Sequence, residues 1–138
     1  MKRTTILLAS LFMIVFSTIG FSYSPKLPKA VEAKKAIIAK NLIQGLESQN
    51  EGVMLSAAYY LGEYKCESGV IPLMKVLHSK CCEGLRIMAA LSLTKIGTGK
   101  SLYAVKQNTY LNDSESVRKF CLQFYLAAKE KKPSYLEE

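Results

Sequence analysis

The 138-residue sequence has a single histidine, His78, and this scarcity limits the chemistry that the chain could perform. Nucleophilic catalysis requires a base beside a serine or cysteine, and one histidine in a predicted turn does not suggest a triad. A pair of carboxylates could take the place of the histidine, but no such pair is indicated, because the glutamates are isolated from one another in the sequence, at Glu51, Glu63, Glu67 and Glu83. We therefore expect a protein that is not an enzyme, with no catalytic residues and no bound cofactor.

Metal ligands are also scarce. His78, Cys81 and Cys82 form the segment "HSKCC", but zinc normally takes four ligands at recognisable spacing. Cys66 lies at the other end of the intervening predicted helix, roughly 15 Å away at 1.5 Å per residue. We expect no metal site, and we expect His78 to face solvent near a helix C-terminus.

The four cysteines are predicted to be free thiols. Cys66 and Cys81 lie at opposite ends of one predicted helix, Cys121 should be buried within another, and bridged α-carbons must lie within about 7 Å. A vicinal bridge between Cys81 and Cys82 is the alternative.

Period-two alternation is absent, so the sequence predicts no β-strand. Phosphate-binding glycine loops are absent as well. Gly97 and Gly99 follow a predicted helix and are expected to end it, whereas phosphate loops precede a helix.

Acidic residues are fewer than basic ones, 11 against 19, which gives a net charge of +8. The lysines are scattered, with groups near both ends of the chain. An exported chain seldom meets nucleic acid, so we expect no nucleic-acid partner, and anionic lipid headgroups or cell-wall polymers are the more plausible acidic neighbours.

The N-terminus has the pattern of a secretory signal peptide. Lys2 and Arg3 precede an uninterrupted apolar run over residues 6–21, and small residues follow it. We assign residues 1–24 to the signal segment, with cleavage after Ser22 favoured over cleavage after Ser24. The predicted location is periplasmic or secreted. The alternative is that the signal segment stays uncleaved and anchors the protein in the inner membrane, and only in that case do we expect contact with a membrane. Without Lys2 and Arg3, 17 basic residues face 11 acidic ones, a net charge of about +6.

The chain after residue 24 contains an internal repeat. One constant offset along the chain aligns Val53, Ala57 and Leu61 with Leu85, Ala89 and Leu93. The same offset aligns Leu85, Ala89 and Leu93 with Val117, Cys121 and Tyr125. Apolar spacing near 3.6 predicts a helix over residues 29–48, another from about Val53, and a last helix over 115–131 that Asp113 or Ser114 caps. We predict an all-α domain over residues 25–138, with helix pairs at about 29–64, 70–97 and 101–131.

The repeated segments resemble HEAT repeats, of the short HEAT-like type also seen in phycobilin lyases. The resemblance lies in "VMLSAAYYLGEYKCESGVIPLMKVL", "LRIMAALSLTKIGTGKSLYAV" and "NDSESVRKFCLQFYLAA". It implies a right-handed α-α superhelix, or α-solenoid, whose second helices line a concave side that binds proteins. The residues that handle bilin in the lyases have no match here, so that activity is not implied. Met54 stands where the family usually has arginine, and Cys81 and Cys82 stand where aspartate is common. The Asp–Arg contact typical of the family is therefore expected only around Asp113 and Arg118.

The exposed side of the second helices is the candidate binding surface, and the expected function is an exported scaffold that binds a protein partner. An envelope-associated factor that binds an acidic ligand or lipid surface through lysines is the alternative. In the repeat register the surface rows are Tyr60–Ser92–Phe124, Tyr59–Leu91–Gln123 and Glu63–Lys95–Ala127. The predicted partner-binding residues are Tyr59, Tyr60, Glu63, Ser92, Lys95, Gln123 and Phe124. For Tyr60 and Phe124, a place in the core is the alternative.

The last predicted helix has a broad apolar face without an evident cap. Terminal repeats normally carry a polar outer side, because no further unit covers them. Either the tail folds back with Tyr135 and Leu136, or the face meets a partner, which includes a homodimer through this helix.

Overall fold

The computed structural model describes residues 29–131, and this part of the chain is all-α, as predicted. It contains six α-helices and one short 3-10 helix and no strand. The elements are α1 (Lys29–Gly45), α2 (Glu51–Glu63), the 3-10 helix (Glu67–Gly69), α3 (Val70–His78), α4 (Glu83–Ile96), α5 (Gly99–Leu111) and α6 (Glu115–Lys131). The predicted signal segment and the tail with Tyr135 and Leu136 lie outside the described residues.

The helices associate in consecutive pairs. α1 packs on α2, α3 on α4, and α5 on α6, while the second helices α2, α4 and α6 lie side by side with α4 in the middle. The core between them is built mainly from leucine, valine and alanine. Its fully buried members include Leu61, Leu73, Leu77, Leu85, Leu93, Val105 and Val117. Each helix pair therefore buries one apolar stripe against its neighbours, as the repeat predicts.

The second helices begin at equivalent positions of the repeat, but their N-caps differ. The Asn50 side chain accepts hydrogen bonds from the backbone N–H groups of Gly52 and Val53. Ser114 caps α6, because its Oγ accepts from the N–H of Val117 at 3.3 Å. Cys82 holds the same place before α4 and makes no side-chain cap bond. The middle repeat therefore lacks a cap that the other two repeats have.

Gly97 ends α4 as predicted. Its φ is +71°, in the left-handed region that glycine adopts without strain, and its N–H bonds to the carbonyl of Leu93. The prediction that Gly99 also ends this helix is wrong. Gly99 is the first residue of α5, because the Thr98 side chain accepts from the N–H of Ser101 at 3.2 Å and starts a new helix there.

A buried arginine joins the second helix pair to the third. Arg86 is 5% exposed, and its guanidinium donates to the Asn112 and Asp113 side chains and, through Nε, to the Leu77 carbonyl at 3.4 Å. The predicted contact between the Asp113 carboxylate and Arg118 is wrong, because this carboxylate pairs with Arg86. Arg118 instead donates to the backbone carbonyls of Asn112, at 2.6 Å, and Asp113, at 3.2 Å. The Asp113 carboxylate therefore connects two repeats, and within its own repeat it also accepts from the N–H of Ser114 at 3.0 Å.

Asn112 and Asn108 extend this network toward α3. Asn112 Nδ2 donates to the Leu77 carbonyl at 3.3 Å and to Asn108 Oδ1 at 2.9 Å. Asn108 Nδ2 donates to the Ala104 carbonyl and lies 3.4 Å from Nε2 of His78. His78 is exposed at the C-terminal end of α3, as predicted. The Leu77 carbonyl near the end of α3 is thus bound by Arg86 of its own helix pair and by Asn112 of the following repeat.

All four cysteines carry free thiols, as predicted. Cys121 is buried, and the loss of solvation raises the pKa of its thiol to about 11. Burial also raises the pKa of the Cys66 thiol. None of the helices between residues 29 and 131 is long and apolar enough to cross a bilayer.

The Asp113 contacts predict how stability depends on pH. The hydrogen bond from Arg86 lowers the pKa of the Asp113 carboxyl below its usual range. Its stabilising contribution is therefore fully present above the unfolded pKa, about 3.9, and is lost as pH falls through the lower pKa of the folded protein. We expect Asp113→Asn to reduce the acid-dependent loss of the urea midpoint between about pH 5 and pH 2. Glu32→Gln is the control, because Glu32 is exposed and forms no ion pair within residues 29–131; an equal effect of both substitutions would contradict the prediction.

The uncapped start of α4 predicts a stabilising substitution. Cys82 has the non-helical backbone angles that an N-cap needs, φ −57° and ψ 146°, but a sulfur is a weak acceptor. Cys82→Ser should raise the free energy of unfolding by about 1 kcal/mol, measured by urea unfolding, because its oxygen can accept from the first-turn N–H groups. Cys81→Ser changes the neighbouring thiol outside the cap position and should give no such gain. Equal gains from both variants would rule out capping as the cause.

Candidate interaction surface

One face of α2, α4 and α6 carries four rows of residues in the repeat register. We call it the second-helix face. Its residues are Gly52, Ser56, Tyr59 and Glu63 on α2, Gly84, Met88, Leu91 and Lys95 on α4, and Ser116, Phe120, Gln123 and Ala127 on α6. Spacings of three and four residues keep each set on one side of its helix. All twelve residues are exposed or half-buried, so the face is open to solvent along all three helices.

An ion pair connects α2 and α4 at one end of the face. Lys95 Nζ contacts Glu63 Oε1, and the same ammonium lies 4.9 Å from the centre of the Tyr59 ring. Tyr59 hydrogen-bonds to Glu63 as well. The bond from Lys95 lowers the pKa of the Glu63 carboxyl, and the bond to Glu63 raises the pKa of the Tyr59 phenol. At neutral pH the cluster therefore consists of a carboxylate, an ammonium and a neutral phenol.

This cluster contributes more to surface shape than to stability. The Lys95 and Glu63 side chains are both about one-third exposed, and exposed ion pairs contribute only about 0–1 kcal/mol. Their pairing neutralises both charges and fixes the Tyr59 ring beside Lys95. The result is a polar border with little net charge.

The middle of the second-helix face is apolar. Met88 and Leu91 are half-buried on α4, between Tyr59 on α2 and Phe120 on α6. Phe120 is 41% exposed, and its ring centre lies 5.9 Å from that of Phe124, which packs against the core. Large apolar side chains supported from below in this way are suited to the centre of a binding surface.

The opposite end of the face has small residues. A Cβ added at Gly84 would meet no atom within 4 Å, so the surface of α4 is open there. Gly52 and Ser116 occupy the corresponding places on α2 and α6. A bound chain can therefore approach the backbone closely at this end.

Four of the predicted partner-binding residues lie on this face, namely Tyr59, Glu63, Lys95 and Gln123. The prediction for Ser92 is wrong. Ser92 is 1% exposed, and it is packed against Gly62 so tightly that a Cβ on Gly62 would lie 2.8 Å from the Ser92 α-carbon. Its hydroxyl is buried and makes no hydrogen bond within the described residues. Ser92 therefore allows α2 and α4 to approach and is not a binding residue.

Side-chain size sets how closely the second helices approach. Gly62 and Ser92 bring α2 and α4 together, and the corresponding residues between α4 and α6 are Thr94 and Phe124. The helices cannot pack equally closely at the second contact, because a phenyl ring replaces a hydroxymethyl group. The close contact also leaves the Ser92 hydroxyl without a hydrogen-bond partner in the described structure, which offsets part of the packing gain.

The other two residues of the row predicted with Ser92 also leave the face. Phe124 is half-buried against the core, so the core alternative holds for it. Tyr60 is 45% exposed, stacks on Tyr64 with ring centres 5.9 Å apart, and lines a groove between α1 and α2. The predicted row therefore does not lie on the face. Each of its residues follows a residue of the face by one position, which is about 100° around the helix, so its side chain points toward the neighbouring repeat.

Sequence reasoning missed Met88 and Phe120, which form the apolar centre together with Tyr59 and Leu91. The signal was available in the repeat register. Ser56, Met88 and Phe120 are equivalent positions of the three repeats and lie one helical turn before the row that begins with Tyr59.

The described part of the chain has no candidate metal site. No three His, Cys, Asp or Glu residues between positions 29 and 131 are placed to hold a metal ion. Comparison with known proteins gives no matching family model and no matching curated protein.

The contact between Gly62 and Ser92 predicts a substitution that destabilises the protein. Gly62→Ala would place a methyl group against the α4 backbone, which cannot yield as a flexible side chain does. We expect a loss of about 1–3 kcal/mol in the free energy of unfolding, measured by urea unfolding. Gly84→Ala is the matched control and should be neutral or stabilising by up to about 1 kcal/mol, because its methyl group meets nothing and alanine favours helix. A similar loss in both variants would contradict the close approach.

Proposed function

We propose that the protein is an exported, non-enzymatic scaffold that binds a protein partner through the second-helix face. The observation that carries the proposal is the regular placement of twelve accessible positions in four rows on three adjacent helices, with an apolar centre. The proposal of export rests on the N-terminal sequence pattern.

The proposed architecture is a right-handed α-α superhelix of HEAT-like pairs with this face on the concave side. Three helix pairs that follow one repeat period, with α2, α4 and α6 side by side, support it. Arrays of this kind stack each unit only on its neighbours, and their extended surfaces bind partners. The proposal needs the second helices to form one continuous surface, which their mutual packing provides.

The chemistry of the face indicates the kind of segment that it would bind. Met88, Leu91 and Phe120 offer apolar surface, and methionine adapts to irregular partners. The Lys95–Glu63 pair contributes no net charge at the border. We therefore infer that the partner presents an apolar stripe, such as one face of an amphipathic helix, and does not rely on a charged segment.

The alternative is binding of an acidic ligand or a lipid surface through lysines. Lys34, Lys35 and Lys40 are exposed on α1, and none belongs to the second-helix face. The two functions use different residues and different forces. Attraction through scattered lysines weakens at high ionic strength, whereas apolar binding does not.

Site-specific photo-crosslinking in the native cell envelope tests the proposal. A photoreactive residue replaces Leu91 or Phe120 on the face, and Ile71 serves as the control because it is 45% exposed on α3. We expect the same discrete protein adduct from both face positions, persisting in high salt, and none from Ile71. Leu91→Asp in the Phe120-labelled protein should reduce the adduct at least about tenfold, because it buries an unpaired charge at the contact.

Two results would overturn the proposal. An adduct formed equally from Ile71 would show that the contact is not specific for the face. Loss of the adducts in high salt, together with binding of the protein to anionic vesicles that neutral vesicles do not reproduce, would favour the lysine alternative.

A further inference from the structure

The two ends of the described structure are complementary, and this suggests what covers them. Val53 is 46% exposed, although its equivalents in the next two repeats, Leu85 and Val117, are fully buried. Tyr60 is 45% exposed, whereas its equivalent Ser92 is buried. In the second pair the preceding repeat covers this end, where Gly62 packs against Ser92. In the third pair Val117 is buried and Phe124 is half-buried. The first pair has no preceding repeat within residues 29–131.

The opposite end shows the converse pattern. Ala58 and Ala90 are fully buried, yet their equivalent in the third repeat is Leu122, which is 45% exposed. Gly62 is buried against α4, and its equivalent on α6 is Leu126, which is 49% exposed. α6 thus presents two large apolar side chains at the positions where the earlier second helices contact the next repeat.

Polar contacts follow the same register. Glu83 accepts a hydrogen bond from the hydroxyl of Ser114, and Glu51 lies close enough to Cys82 to raise the pKa of its thiol. In each case the first residue of a second helix lies beside the N-cap residue of the next repeat. Glu115 occupies this place in the third repeat and pairs with Lys119 of its own helix, at 2.8 Å.

We propose that a second copy of the chain binds head to tail, with the α6 end of one molecule on the α1–α2 end of the next. The first repeat offers the groups that this contact needs. A groove of about 440 Å³ lies between α1 and α2 and is lined by Leu42, Gly45, Val53, Ser56, Ala57 and Tyr60. Leu122 and Leu126 are placed by the repeat register to enter the groove of the second copy.

The polar groups also match. Asn50 is the first-repeat equivalent of Cys82 and Ser114, and its Oδ1 already caps α2, so its amide N–H₂ can donate to Glu115 of the other molecule. Arg86 binds the Asn112 and Asp113 side chains of the next repeat. Arg118 is the equivalent of Arg86 in the third repeat. On a second copy, Ser48 and Gln49 are the equivalents of Asn112 and Asp113, and their side-chain oxygens can accept hydrogen bonds from Arg118.

The contact would be wider than the contacts within the chain. Leu126 and Tyr60 would meet where Gly62 and Ser92 meet between α2 and α4, and larger side chains increase the distance between helices. Such a contact uses different surfaces on its two sides. A heterologous contact of this kind does not close on itself as a dimer and continues into longer assemblies.

Sedimentation velocity on the full-length gene product, purified as the producing cell processes it, tests the proposal. We expect the average mass to rise between micromolar and millimolar concentration without a plateau at the dimer. Val53→Glu and Leu122→Glu should each weaken association at least about tenfold, because each buries a carboxylate in an apolar contact. Ile71→Glu changes an equally exposed aliphatic residue of the middle repeat and should associate like the unchanged protein.

The decisive experiment is sedimentation velocity on a mixture of the Val53→Glu and Leu122→Glu variants. Leu122→Glu retains an intact α1–α2 end and Val53→Glu retains an intact α6 end, so an equimolar mixture should form a one-to-one dimer and nothing larger. Association should be unchanged or strengthened by salt, because salt screens the repulsion between chains that both carry a net positive charge. Circular dichroism of each variant confirms that it is folded.

Three outcomes would overturn the proposal. One is an unchanged protein that stays monomeric at every concentration. Another is a dimer that Leu122→Glu abolishes and Val53→Glu leaves intact, which would indicate a symmetric contact through α6. The last is a chain that associates only after residues 132–138 are deleted, which would assign the α6 end to the tail.

Discussion

The burial of the Arg86 guanidinium is the constraint on which the junction of the second and third repeats depends. A buried cation is stable only when its donors are paired, and Arg86 finds its acceptors on the Leu77 carbonyl and on the Asn112 and Asp113 side chains. Those acceptors come from the end of α3 and from the turn before α6. The arginine can therefore be satisfied only when the two repeats are stacked in one register, and Asn108 and Asn112 fix the same register from α5.

The proposed binding face and the proposed end contacts arise from the same repeat and overlap only on α2, where Gly52 and Ser56 of the face also line the groove between α1 and α2. The face collects residues that point away from both neighbouring repeats. The ends expose residues that would point toward a neighbour. The first kind of position is exposed or half-buried in all three repeats, whereas the second is exposed only in the first or the last repeat and is buried or half-buried elsewhere. Exposure compared across repeats therefore distinguishes a surface for a different partner from a surface for another repeat.

Periodicity alone predicted the six helices, their pairing and the αL end of α4 at Gly97, because local spacing and backbone preference decide these features. It also placed Tyr59, Glu63, Lys95 and Gln123 on one surface. The repeat register identified equivalent residues but not the direction in which each one points. Tyr60, Ser92 and Phe124 were misplaced for this reason, and Met88 and Phe120 were overlooked.

Only the tertiary structure decided the remaining features. The Asp113 carboxylate pairs with Arg86 of the previous repeat, whereas Arg118 of the same repeat reaches only the backbone carbonyls of Asn112 and Asp113. Gly99 starts a helix instead of ending one. The sequence determined which residues are equivalent, since that is a property of spacing along the chain. The structure decided which of them meet, because contacts between repeats depend on how closely the helices pack, and that distance is set by side chains that are far apart in the sequence.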